Sequence, residues 1–126
     1  CYKYLLSFSR LYRELEIDMQ AKNIWNEIEY LKGQTLRTLA RQKPFIIVAV
    51  SDKSITVMPL STNKERPIQR AGIENAFQRL TSAGELTLAD LEADFTPLNP
   101  VYTAAILAKM RGVKVYLKPT RLKWEG

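Results

Sequence analysis

The sequence predicts an α+β fold: N-terminal helices, a three- to four-stranded antiparallel β-meander, and a C-terminal helical cluster with a short final strand. Three observations predict it. The chain has 126 residues, 46% of them hydrophobic, which fits one compact domain. Short apolar runs separated by a polar turn occupy residues 44–60. Apolar residues at three- and four-residue spacing stand on both sides of that region, punctuated by capping residues, glycine and proline.

Residues 3–17 form the first expected helix, because Tyr4, Leu5, Phe8, Leu11, Tyr12 and Leu15 recur at helical spacing. Such a stripe covers a core or docks on a partner or a second copy of the chain. The chain opens at Cys1, and Met19 is a candidate internal start, so residues 1–18 read as an amphipathic helical extension and residues 19–126 as the single α+β domain. A second helix is expected from Ile24 to Lys32, capped by Asn23 and ended by Gly33. Trp25, Ile28 and Leu31 face its core side.

The meander begins with an expected strand at Thr35–Arg41. Pro44–Val50 is nearly continuous in apolar residues, as a central strand requires. Ser51-Asp52-Lys53-Ser54 supplies turn chemistry, and Ile55–Leu60 returns. Arg66–Arg70 is the fourth expected strand, with Ile68 inward and both arginines outward.

Three helices follow. Ile73, Ala76, Phe77 and Leu80 mark the first, which Gly84 ends. Thr87-Leu88-Ala89-Asp90 is a capping box with Asp in the place of Glu, and Leu86 and Leu91 occupy the positions of a hydrophobic staple. Leu88, Leu91 and Phe95 give this second helix its apolar face. Asn99 and Pro100 open the third as cap and first residue, and it is expected to reach Arg111 before Gly112. Val113–Leu117 alternates like a strand, and the residues after Pro119 read as a basic tail.

Charge is segregated along the chain. Residues 1–33 balance five basic against five acidic groups, residues 34–70 carry +5, residues 71–100 carry −4 and residues 101–126 carry +5. The first basic block holds Arg37, Arg41, Lys43, Lys53, Lys64, Arg66 and Arg70; the second includes Lys118, Arg121 and Lys123. Two basic blocks on one face attract a polyanion, and arginine's planar fork suits phosphate. Dispersed charge that keeps sheet edges apart is the plainer reading of the same residues. Tyr102, Tyr116 and Trp124 are candidate platforms for an unstacked base; Trp124, between Lys123 and Glu125, is exposed or else folds onto the core.

Other chemistries have little support. The chain has one cysteine and no histidine, which closes the histidine-dependent nucleophilic routes and argues against structural zinc and disulfides. Its glycines number five and form no phosphate-binding loop. Asp90 and Asp94 share a helix face, and Asp52-Lys53 occupies a turn, but no second strand-borne carboxylate completes a magnesium nuclease. Residues 87–111 have helix-turn-helix proportions, yet Val101, Ala104, Ala105, Ile106 and Leu107 offer little to base edges.

No apolar run reaches the ~20 residues of a membrane span, and no leader pattern is seen near Lys3. The expected compartment is the cytoplasm. The sequence therefore points to a non-catalytic nucleic-acid-binding module without cofactor or metal, in which the meander and the tail supply Arg37, Arg41, Lys43, Lys53, Lys64, Arg66, Arg70, Lys118, Arg121, Lys123 and Trp124. The sequence does not choose between DNA and RNA. The rival reading is a protein-interaction or assembly module that uses residues 3–17 and the acidic helix at Leu88–Phe95.

Overall fold

The computed structural model describes residues 24–126. The expected helix at 3–17, the Asn23 cap and the proposed start at Met19 lie outside the described residues. Residues 24–29 are helical (α1), and Gly33 follows with φ +83° while its N–H donates to Ile47 O at 2.7 Å. The left-handed turn that glycine permits thus delivers the chain to the sheet.

Four strands form one antiparallel sheet in the order β1-β2-β3-β4: β1 (Thr35–Arg37), β2 (Pro44–Val50), β3 (Ser54–Pro59) and β4 (Arg66–Gln69). Leu36 pairs with Phe45, Phe45 with Pro59, Ile47 with Val57 and Ile55 with Ile68. These buried residues make one apolar face. A bulge at Val48 separates the Ile47–Val57 pair from the Ala49–Thr56 pair.

The first strand is shorter than expected. It stops at Arg37 because Thr38 folds the chain back: Thr38 N donates to Lys43 O, Gln42 N donates to Thr38 O, and Lys43 N donates to Thr38 Oγ1, each at 3.0 Å. The fourth strand also ends early. Arg70 opens helix α2 (Arg70–Ala83) and pairs with Glu74 one turn on, at 2.6 Å. Arg66 and Arg70 therefore do not share an outward strand face, and Arg66 lies on the face of Ile68, as a spacing of two requires.

Helix α2 buries Ile73, Ala76, Phe77 and Leu80, and Gly84 closes it with φ +85° while donating to Leu80 O. Gly72 lies against the next segment, where an added Cβ would meet Phe95 O at 2.8 Å. The capping box forms as expected: Asp90 N donates to Thr87 Oγ1, and Thr87 N donates to Asp90 Oδ2, both at 3.1 Å. It starts a short helix, α3 (Leu88–Asp90), which passes into a π-helical turn at Leu91–Phe95. Helix α4 (Pro100–Leu107) then buries all of Thr103, Ala104, Ala105, Ile106 and Leu107, and it ends before the expected Arg111. Asn99 makes no side-chain cap; its Nδ2 donates to Pro67 O at 3.4 Å and ties α4 to β4.

The last strands were only half foreseen. β5 (Glu85–Thr87), β6 (Val113–Tyr116) and β7 (Arg121–Trp124) form a second antiparallel sheet in the order β5-β7-β6. The expected tail is thus the central strand of a sheet. Leu122 pairs with both Leu86 and Val115 and is buried, as is Leu86.

Leu122→Ala should therefore lower the unfolding free energy by about 2–5 kcal/mol, the range for a buried leucine. Denaturant unfolding checks it, and a change within error would return the segment to the status of a tail.

Candidate nucleic-acid interface

The outward face of the first sheet is mostly uncharged. Ile46 pairs with Met58 and Thr35, Thr56 pairs with Pro67, and Ser54 pairs with Gln69; Arg37, opposite Pro44, is the basic residue there. Arg41 and Lys43 sit beyond β1, in the loop fixed by Thr38. The basic residues of the meander thus collect at loops and edges. Strands with uncharged faces are free to pack, while loops project long cationic side chains into water.

A cleft of about 830 Å³ opens at this end of the sheet. One wall is Thr38–Arg41 with Lys43 and Pro44, a second is Pro59–Ser61, and the far side is Leu88, Val101, Tyr102, Ala104 and Thr120. Its size lies within the range of small-ligand sites. The lining is mainly apolar, and its described residues include Arg41 and Lys43 but no acidic side chain. The Tyr102 ring is fixed edge-on to Phe45, with centroids 5.1 Å apart, and the Arg66 guanidinium lies 5.9 Å from its centroid. Arg66 is on the core side of the sheet by register, opposite Val57, yet is exposed at the edge and so stands beside the cleft.

The connection between β6 and β7 reaches the cleft from the other side through Thr120. The same short connection holds Lys118, and Arg121 follows it directly. Leu88 N donates to Thr120 O at 3.2 Å, which anchors this connection to α3.

Other basic residues have partners within the fold. Arg70 pairs with Glu74, donates to Asp52 O at 3.1 Å and lies 4.9 Å from the Trp25 ring centroid. Arg121 pairs with Glu85 at 3.2 Å. Arg121 and Lys123 approach the Tyr116 ring at 5.3 and 5.0 Å. Lys114 pairs with Glu125 at 3.1 Å, and the hydrogen bond it donates to that carboxylate, then the carboxylate's charge, holds the Lys114 ammonium above the ordinary lysine range, with Tyr116 adding a smaller share. Arg37 donates to Gln42 O at 3.0 Å. Lys53 sits in the β2–β3 turn, at the end of the sheet away from Pro44 and Pro59, and Lys64 is exposed in the β3–β4 loop.

Trp124 is half-buried. Its ring packs edge-on to Phe77, with centroids 5.5 Å apart, and touches the backbone at Gly112, where an added Cβ would meet it at 3.0 Å. The aromatic residue beside the basic cluster is Tyr102, which was among the sequence's aromatic candidates but not among its expected binding residues. Its helical setting gave no sign of an open cleft. Within the acidic segment Leu91 is buried, while Glu92, Ala93 and Asp94 are exposed. Among the described residues no group of three or more His, Cys, Asp and Glu side chains is placed to hold a metal, and no helix is long and apolar enough to cross a membrane.

This division of roles is measurable. Arg70→Ala should cost about 1 kcal/mol of stability, because it removes a half-buried ion pair and a cation–π contact. Arg41→Ala should stay within about 0.5 kcal/mol of the parent. Paired denaturation curves check both, and equal losses would contradict the assignment. No family model, curated protein or solved structure matches this chain.

Proposed function

We propose that this domain is a non-catalytic nucleic-acid-binding module whose ligand follows the basic rim of the cleft. The observation that carries the reading is the cleft itself: Arg41 and Lys43 line it, and its lining residue Tyr102 has the Arg66 guanidinium 5.9 Å from its ring centroid. Arg66 beside Tyr102 extends the cationic border. Cations from the β1–β2 loop and from β4 that border one concavity, with no acidic lining residue among those described, support a polyanionic ligand.

Contacts of this kind address phosphates and carry no sequence preference by themselves. Bound phosphates release condensed counterions, so affinity follows salt steeply. The exposed positions of Arg41, Lys43 and Arg66 also suit them to a partner, since they contribute little to folding.

The test is a salt series of fluorescence-anisotropy titrations with labelled single- and double-stranded DNA and RNA. Binding should be present at low ionic strength and fall steeply towards physiological salt. The double variant Arg41→Ala, Lys43→Ala should weaken binding to all sequences alike and flatten the logarithmic salt slope by about two units. Lys53→Ala, at the far end of the sheet, should leave both unchanged. Failure of every nucleic acid to bind at low salt would refute the reading.

A further inference from the structure

The walls of the cleft differ in chemistry from its rim. Leu39, Pro44, Pro59, Leu60, Leu88, Val101, Tyr102 and Ala104 present carbon, and Leu60 and Val101 remain 39% and 38% exposed although they are aliphatic. A ligand that met only the cations would have no use for this apolar interior. Hydroxyls stand among the carbon walls at Thr38, Ser61 and Thr120. Thr38 Oγ1 accepts from Lys43 N, which leaves its proton available to a ligand acceptor.

Resting on the nucleic-acid reading, we infer that the cleft receives an unstacked base of a single strand while the rim holds the flanking phosphates. The chemistry of a nucleotide matches the arrangement part by part. A base has flat apolar faces and a polar edge, and its phosphates carry the negative charge. Tyr102 is held by Phe45 at 5.1 Å, so a base meets a ring already in place. Arg41, Lys43 and Arg66 stand near enough to that ring or the cleft wall to meet the backbone on either side of the base. A duplex does not fit the same site. Its bases are stacked inside the helix, and reading them through a groove requires a protruding helix or ribbon, whereas this surface is concave. Bases enter a pocket only from single strands or after extrusion at a cost.

The experiment compares three probes of equal length at low salt: a single-stranded oligothymidine, its duplex with oligoadenine, and a single strand of abasic sugar-phosphate units. The single strand should bind on the order of tenfold more tightly than the other two, the scale of one stacked base. Ala40→Trp fills the mouth of the cleft from an exposed turn position. It should bring single-strand affinity down to that of the abasic strand and leave the abasic strand's own affinity unchanged. Equal binding of all three probes by the parent protein would overturn the base pocket and leave the polyanion reading standing. So would a single-strand preference that survives Ala40→Trp. Absence of binding by every probe would remove both readings.

Discussion

Between Thr103 and Leu107 helix α4 buries every side chain, and a helix without a polar face has to be enclosed on all sides. That requirement organises the domain. β1 of the first sheet, α2, α3 and the π-helical turn all pack against α4. The one buried hydroxyl in this stretch, Thr103 Oγ1, donates to Asn99 O at 3.0 Å and so presents no unmet polar group to the core. Enclosure fails only at the start of the helix, where Val101 is exposed and Tyr102 is half-buried. The cleft lies there, so its position follows from where the covering elements stop.

Those covering elements differ in how openly the sequence declares them. β2 and β3 were legible because a continuous apolar run, a Ser-Asp-Lys-Ser turn and an alternating return agree with one another. The capping box at Thr87 and the stop at Gly84 were legible because each is a local hydrogen-bonding device that uses the nearest residues. β5 and β7 have three and four residues and no period long enough to read. They are strands because Leu122 is paired on both sides, a fact about distant neighbours. Arg70 failed for a related reason. The expected fourth strand sets it outward, although positions 66, 68 and 70 of a strand share one face, and Glu74 and Trp25 claim its side chain for the first turn of α2.

The candidate site was legible as charge and illegible as place. The sequence shows two basic blocks but not which of their members meet. Five separate stretches build the cleft, and the loop that carries Arg41 and Lys43 takes its shape from Thr38 and from Gln42, which adopts φ +56° and donates through its side chain to Leu39 O at 2.8 Å. Neither residue announces such a role in the sequence, since glutamine is not a usual left-handed residue. The aromatic assignment shifted for the same cause. Trp124 looked free because it stands near the chain's end, yet β7 carries it against Phe77, whereas Tyr102 lies in an apolar helix and reaches the opening.

The distribution of ion pairs separates the cations tied into the fold from those left to solvent. Arg70, Lys114 and Arg121 have carboxylate partners among the described residues; Arg41 and Lys43 have none. Pairing Arg121 with Glu85 across two neighbouring strands of the second sheet offsets charge where strands must lie close, and it pins the β6–β7 connection through Arg121 Nη1, which donates to Pro119 O at 3.0 Å. The cations at the cleft do no such work. Placing like charges together without counterions opposes folding slightly, and solvent screening keeps the cost small at exposed positions. An arrangement that folding does not require is more economically explained by what it meets in solution. Exposed carbon at Leu60 and Val101 points the same way, because collapse of the two walls would have hidden it. The rigid loop at Thr38 and the anchored connection at Thr120 hold those walls apart, so the scaffold that encloses α4 also keeps open the concavity at its first turn.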